Sequence, residues 1–228
     1  MTIAVSESRV PDSAPRTQNM NPEHEPGTWN LKPGTTPTRL IAVDVAILPP
    51  PAIWQRAIEL SAALPLSESF GLRLSDDVMP HITLTQQFVG AERLGAALDR
   101  IGAMLEDVAA LPLTVTGPGG SSAVWMSIEA TPALMDLHRG LMATLAPFEQ
   151  PRGTAEAFFG GSARLGDIAW VSGFRRSSSD AAFRPHITLG HASTLPDVER
   201  MTFQATTIAA CHLGRFCTCR RVLRRWEL

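Results

Sequence analysis

The chain is short of three things: cysteine, net charge and long apolar runs. Its three cysteines, Cys211, Cys217 and Cys219, stand close together near the C-terminus. An odd count in 228 residues is not a disulfide framework, and a reducing compartment is the simpler expectation. Cys217-Thr218-Cys219 lacks the matched second pair of a structural zinc site, so the thiols are expected to be buried and free. The 20 Lys and Arg against 22 Asp and Glu leave a formal charge of −2. That balance excludes the basic field with which proteins hold duplex nucleic acid non-specifically. A local positive pocket for a short or small polyanion remains compatible with it. No apolar run approaches the ~20 residues that span a bilayer. The first residues lack the charged start, apolar stretch and small-residue cleavage site of a signal peptide. A soluble cytoplasmic protein is expected. What remains is an ordinary globular composition, 44% hydrophobic and 18% charged with mean hydropathy +0.03, and a chain long enough to bury a substantial core.

Residues 1–38 are poor in large apolar side chains, with Pro22, Pro26, Pro33 and Pro37 in the second half. Such a stretch cannot bury enough surface to offset its ordering entropy and is read as a disordered tail. The folded part, 39–228, opens with Leu40-Ile41-Ala42-Val43-Asp44-Val45-Ala46-Ile47-Leu48, a β-branched apolar run closed by Pro49-Pro50-Pro51, which predicts a buried strand. Helical spacing follows over 52–64 and 91–110, and Thr131-Pro132 opens a further helix to about Leu145. Two strands over 111–116 and 123–129 are expected to turn at Gly117-Pro118-Gly119-Gly120. Residues 146–167 read as a long loop. Beyond it, strands are expected over 168–172, 183–191, 205–213 and 216–223, with a short helix from Leu195-Pro196 to Thr202. The mixture predicts an α+β protein.

One motif repeats. Pro80-His81-Ile82-Thr83-Leu84 recurs as Pro185-His186-Ile187-Thr188-Leu189, 105 residues later. The spacing is too long for a solenoid and fits two related half-domains. On a strand, side chains alternate, so His81 and Thr83 face one way while Ile82 and Leu84 anchor the other face. The second copy does the same. A pseudo-twofold packing of the halves would gather two imidazoles and two hydroxyls in one cleft. That set suits a phosphodiester. One neutral imidazole takes a proton from the attacking oxygen and one imidazolium gives a proton to the leaving oxygen. The threonines hydrogen-bond the non-bridging oxygens. The scheme requires no metal or other cofactor. A metallohydrolase using both histidines as ligands is disfavoured, because no carboxylate stands at the matching inward positions.

These two segments resemble the paired H-x-T-hydrophobic signature of the 2H phosphoesterases, the group that contains 2′-5′ RNA ligase-like proteins and cyclic phosphodiesterases. The resemblance covers about 39–228. It implies a bilobal, pseudo-twofold α+β fold of duplicated sheet and helices around a central groove. It also implies metal-independent chemistry on RNA ends or nucleotides carrying a 2′,3′-cyclic phosphate or a 2′-5′ linkage. His81 and His186 are then the acid–base pair, and Thr83 and Thr188 the phosphate ligands. The departures are the N-terminal tail, the 146–167 stretch and the absence of any tyrosine. Hydrolysis of a cyclic phosphate is the leading expectation. Ligation or cleavage of 2′-5′ linkages, hydrolysis of a cyclic oligonucleotide, and a non-catalytic nucleotide- or RNA-binding module are the alternatives. A monomer is expected.

Strand parity adds neighbours. Thr85 shares the face of His81 and Thr83, against Gly190 in the second copy. Arg184 has the parity of His186, and its fork suits a phosphate. Phe88, Phe158, Phe159 and Trp170 are candidate base platforms. Arg215, Arg220, Arg221, Arg224 and Arg225 form either an RNA-attracting cluster or a solvated edge. By the same parity His191 points away from the site, and His24, His138 and His212 are expected to be structural.

Overall fold

A computed structural model describes residues 39–228; the predicted tail over 1–38 lies outside the described residues. The opening run forms strand β1 (Leu40–Leu48), and Pro51 starts helix α1 (Pro51–Ala63). The first histidine segment leads into β2 (Ile82–Gly90), followed by α2 (Leu94–Leu105). A hairpin of β3 (Leu111–Gly120) and β4 (Ala123–Ile128) precedes α3 (Pro132–Leu145). Thr131 caps α3 as predicted, its hydroxyl accepting from the Leu134 amide at 3.3 Å. The second half holds β5 (Glu149–Gln150), α4 (Leu165–Ser177), β6 (His186–His191), β7 (Met201–Ala205), β8 (Thr207–Leu213) and β9 (Cys219–Glu227).

All pairings between these strands are antiparallel, in two sheets of order β5-β2-β1-β8-β9 and β6-β4-β3-β7. Apart from β5, the strands of the two sheets correspond in order, with β2 and β6 carrying the repeated motif beside β1 and β4. The half-domains are nevertheless not successive in sequence, since β8 and β9 return to the first sheet. Two helices also cross over: α1 follows β1 but packs on β6, and α3 follows β4 but packs on β2. Alternation places Val43, Val45 and Ile47 of β1 in one continuous core with Ile82, Leu84, Ile187 and Leu189 of the motifs.

The second half departs from the sequence reading. Residues 168–172, expected as a strand, lie inside α4. A short apolar run does not distinguish helix from buried strand; here Asp167, Val171 and Phe174, at helical spacing, are the buried face. The expected loop over 146–167 contains 3₁₀ turns at Ala146–Phe148, Ala155–Ala157 and Phe159–Gly161, and β5 extends the edge of β2. No helix forms at Leu195-Pro196; the chain stays irregular and then fills the open edge of β3 as β7. The predicted Gly-rich turn lies within β3, and the reversal is made at Ser121 and Ser122.

Both motif strands carry a β-bulge. Val45 pairs with Thr85 and Ala46 with Thr83, leaving Leu84 as the extra residue. Val124 pairs with Gly190 and Trp125 with Thr188, leaving Leu189. Gly190 takes φ +151°, and a Cβ there would meet Leu64 Cδ1 of the segment after α1 at 2.9 Å. At the first bulge the Leu84 carbonyl is engaged by His138 of α3, whose Nδ1 lies 2.6 Å away. His138 Nε2 accepts the Asp180 amide at 3.1 Å, so Nδ1 carries the proton and the ring is neutral. Burial pushes this imidazole below its ordinary value.

A histidine depressed in the folded state contributes stability that is complete above the unfolded value of about 6.5 and declines as pH falls through the folded one. His138→Gln, which keeps one donor and one acceptor without titrating, is expected to flatten the fall in melting temperature between pH 7 and 5. An unchanged slope would show that His138 is not coupled to the fold.

Candidate active site

On the face of the first sheet opposite the core, β1 presents Ala42, Asp44 and Ala46. Two alanines leave room there, and the third position holds a carboxylate that is fully buried. Its Oδ2 accepts from the Thr83 hydroxyl and from Gln86 Nε2, each at 2.7 Å, and lies 3.7 Å from His81 Nε2. Its Oδ1 has no partner. Burial raises the Asp44 carboxyl above its ordinary value, opposed by His81 and the two donated bonds.

The bulge explains this grouping. Thr85, expected beside His81 and Thr83, is turned to the core opposite Val45, and Gln86 takes its place opposite Asp44. The same shift at Leu189 turns Gly190 opposite Val124 and His191 opposite Ala123. His191, expected to point away, therefore lines the cleft.

The cleft is a cavity of about 1040 Å³ lined by His81, Thr83, Gln86, Trp125, His186, Thr188 and His191 among others. The structure thus brings together the two histidines and two threonines named from the repeat. Each histidine is held alike. His81 Nδ1 lies 2.8 Å from the Met79 carbonyl and His186 Nδ1 2.7 Å from the Arg184 carbonyl, in both cases two residues upstream. A carbonyl only accepts, so Nδ1–H donates and each Nε2 is left to act on a ligand.

The surroundings of the two rings differ. Asp44 stands beside His81, and its counterpart beside the second motif is Ala123. Where the first side has Ala46, the second has Trp125, whose ring centre is 4.9 Å from that of His186. Burial pushes the His186 imidazole down, only partly offset by its bond to the Arg184 carbonyl. The threonines differ too. Thr83 gives its proton to Asp44, whereas among the described residues no side-chain bond engages Thr188. Arg184 reaches the cavity, but its Nη1 donates to the carbonyls of Ala181 and Phe183 at 2.8 and 2.9 Å.

The far wall comes from α4 and the β8–β9 connector. Asp167 is its hub: the carboxylate receives the Arg164 amide at 2.9 Å, the Arg164 guanidinium from 2.6 Å, and the Phe216 amide at 3.1 Å. Burial acts to raise this carboxyl, but the guanidinium and the two amides outweigh it and hold it below the usual range. Phe216 and Cys217 both adopt positive φ, +63° and +53°, a conformation that costs a non-glycine residue of order 1–2 kcal/mol. Arg164 covers the Phe216 ring at 3.8 Å. Cys217, expected to be buried like Cys211 and Cys219, instead reaches the cavity. Of the aromatic candidates, Phe88 and Phe158 are core residues packed on each other, while Trp170 is 47% exposed and lines the cavity.

Among the described residues, one group has ligand atoms close enough for a metal: Asp44, His81 and Cys219, all within 4.8 Å of one another. The strand reading placed no carboxylate near His81; β1 supplies one. The thiol makes this a poor ligand set, since binding needs the thiolate and burial pushes the Cys219 thiol well above its ordinary value.

The model of the 2′-5′ RNA ligase superfamily matches residues 49–212. The chain belongs to that superfamily. In fold it resembles E. coli LigT complexed with NADP+ (20% identity, TM-score 0.56) and LigT complexed with 3′-AMP (22%, 0.56), each covering 83% of this chain and 98% of the other. It is also similar to TT0787 of Thermus thermophilus (19% identity, TM-score 0.52, covering 82% of this chain and 98% of that one). No curated protein matches. As in the 2H phosphoesterases, the superfamily supplies a phosphoesterase-type function, and no helix among the described residues is long and apolar enough to cross a membrane.

Asp44, Gln86, Trp125 and the Arg164–Asp167–Phe216 wall escape a reading of the sequence. A lone carboxylate in an apolar strand is the available signal for Asp44; the others depend on bulges and on contacts distant in sequence. Asp167→Ala is expected to cost on the order of 2 kcal/mol, discounted because Arg164 is partly exposed. Urea denaturation checks this, and unchanged stability would remove Asp167 as the anchor of the wall.

Proposed function

We propose that this chain is a metal-independent phosphodiesterase acting on 2′,3′-cyclic phosphates of RNA ends or nucleotides. The observation that carries the reading is the pair of histidines facing one cavity, each with Nδ1 held by a backbone carbonyl and Nε2 free.

The unlike surroundings divide the work. His186, beside Trp125 and with no carboxylate at the equivalent of Asp44, is kept neutral and is the base. Its Nε2 takes a proton from a water whose oxygen attacks phosphorus. The bond from phosphorus to the 2′- or 3′-oxygen breaks, and His81 Nε2–H protonates the departing oxygen. The imidazolium form of His81 has a buried counter-ion in Asp44, which makes it the acid. Thr188 donates to a non-bridging oxygen, whereas Thr83, whose one proton goes to Asp44, acts by orienting that carboxylate. Arg184 stands at the mouth, where its unbonded nitrogen meets the anion. The ligand is a nucleotide or the end of an RNA.

The test uses the purified protein in EDTA with the four nucleoside 2′,3′-cyclic monophosphates and a 2′-5′-linked dinucleotide. Cyclic phosphates are expected to open, with His81→Ala and His186→Ala each slowing turnover by roughly 10²–10⁴-fold. Near wild-type rates in either variant, or loss of activity to EDTA, would overturn the mechanism.

The pH profile should be bell-shaped. Because the base is depressed, activity should persist as pH falls through about 6.5 and decline only below it. Asp44→Asn, which keeps the shape but removes the carboxylate beside His81 Nε2, is expected to lower kcat while leaving the acid limb in place. An unchanged kcat would remove Asp44 from the site.

A further inference from the structure

Phe216 lines the cavity, and further aromatic rings and guanidinium groups lie around it and around the β8–β9 connector. Phe70 packs edge-on against His191 at 5.3 Å, and His191 lies 5.7 Å from Phe216. Phe216 carries Arg164 at 3.8 Å and Arg215 at 5.1 Å. The stem of Arg220 lies over Gly214, where a Cβ would meet its Cγ at 2.5 Å. Arg220 and Arg221 then approach the next ring, Phe159, at 5.6 and 6.0 Å. Phe159 is 36% exposed.

Arg164 is paired with Asp167, but the other charges in this group are not used internally. Among the described residues the remaining ion pairs involve other groups, and the one that takes an arginine from β9 joins Arg224 to Asp99. Arg215, Arg220 and Arg221 pair with no carboxylate there, and the buried Nε of Arg220 has no hydrogen-bond partner. Three guanidinium groups without counter-ions, alternating with aromatic faces, match a flexible polyanion whose own rings are free to stack. Duplex RNA does not meet that description, since its bases are already stacked. Nor does the overall charge of −2 supply the field that duplex binding needs.

We infer that the connector carries a single-stranded RNA track, in which nucleotides next to the reacting end stack along Phe216 and Phe159 while Arg215, Arg220 and Arg221 hold their phosphates. The preferred substrate is then the end of an oligonucleotide, with a free mononucleotide filling only the inner part of the site. Two consecutive residues at positive φ in the connector, Phe216 and Cys217, are consistent with backbone strain kept to present a ring. The proposal rests on the phosphodiesterase reading for which end of the strand enters, but strand binding does not require turnover.

Two measurements test it. Fluorescence anisotropy with a labelled octaribonucleotide bearing a 3′-phosphate reads binding alone. Phe159→Ala is expected to weaken it about tenfold, and Arg221→Ala to reduce the slope of log K against log salt by about 0.7. Kinetics with a 2′,3′-cyclic mononucleotide and with an octamer ending in the same group read the consequence. Both variants should raise KM for the octamer and leave the mononucleotide unchanged, which also shows that they are folded. Wild-type affinity and slope in both variants, or equal displacement of the octamer by an oligoglutamate of the same charge, would overturn the track. A wild-type protein that binds the octamer through these residues but opens no cyclic phosphate would overturn the phosphodiesterase reading and leave the track standing.

Discussion

The extra residue at Leu84, and again at Leu189, is the constraint on which the site depends. Before each bulge, ordinary alternation points His and Thr into the cleft. After it the parity inverts, so Thr85 and Gly190 turn to the core while Gln86 and His191 face the cavity. The bulge is itself supported from outside the sheet. His138 of α3 engages the Leu84 carbonyl, and at the second bulge Leu64 occupies the space that a side chain at Gly190 would need. Helices that begin beside one sheet thus brace the motif strand of the other.

Duplication sets two like imidazoles in one cavity, and difference between the copies makes them useful. Both rings are oriented by a carbonyl two residues upstream, so their reactive nitrogens are equivalent in tautomer. The second layer is not equivalent. A buried carboxylate stands on one side, and an alanine and a tryptophan stand on the other. The acid–base roles proposed for the pair need this inequality, because two identical imidazoles would compete for the same protonation state. The cost is visible in the unpartnered Oδ1 of Asp44, a buried acceptor that a fold selected for stability alone would satisfy.

Legibility follows the range of the physics. The first strand, the helices through α3, the Thr131 cap and the four motif residues all come from short-range pattern, where propensity and alternation act within a few residues. Residues 168–172 mislead because an apolar run of that length fits either period, and packing of Val171 and Phe174 decides for helix. Thr85, Gly190 and His191 mislead for a single reason, which is that parity counts assume an unbroken ladder. Asp44 is in view within its strand, but its meaning lies in a partner on the neighbouring strand.

The sequence by itself determined the repeated motif: two His-x-Thr strands with apolar anchors in an α+β chain whose net charge excludes a whole-protein basic field. Only the tertiary structure decided which neighbours each histidine has. That division is physical. Which face a side chain takes is set along the strand, whereas its counter-ion, its dielectric surroundings and the position of a bulge are set across the sheet by residues far away in the chain.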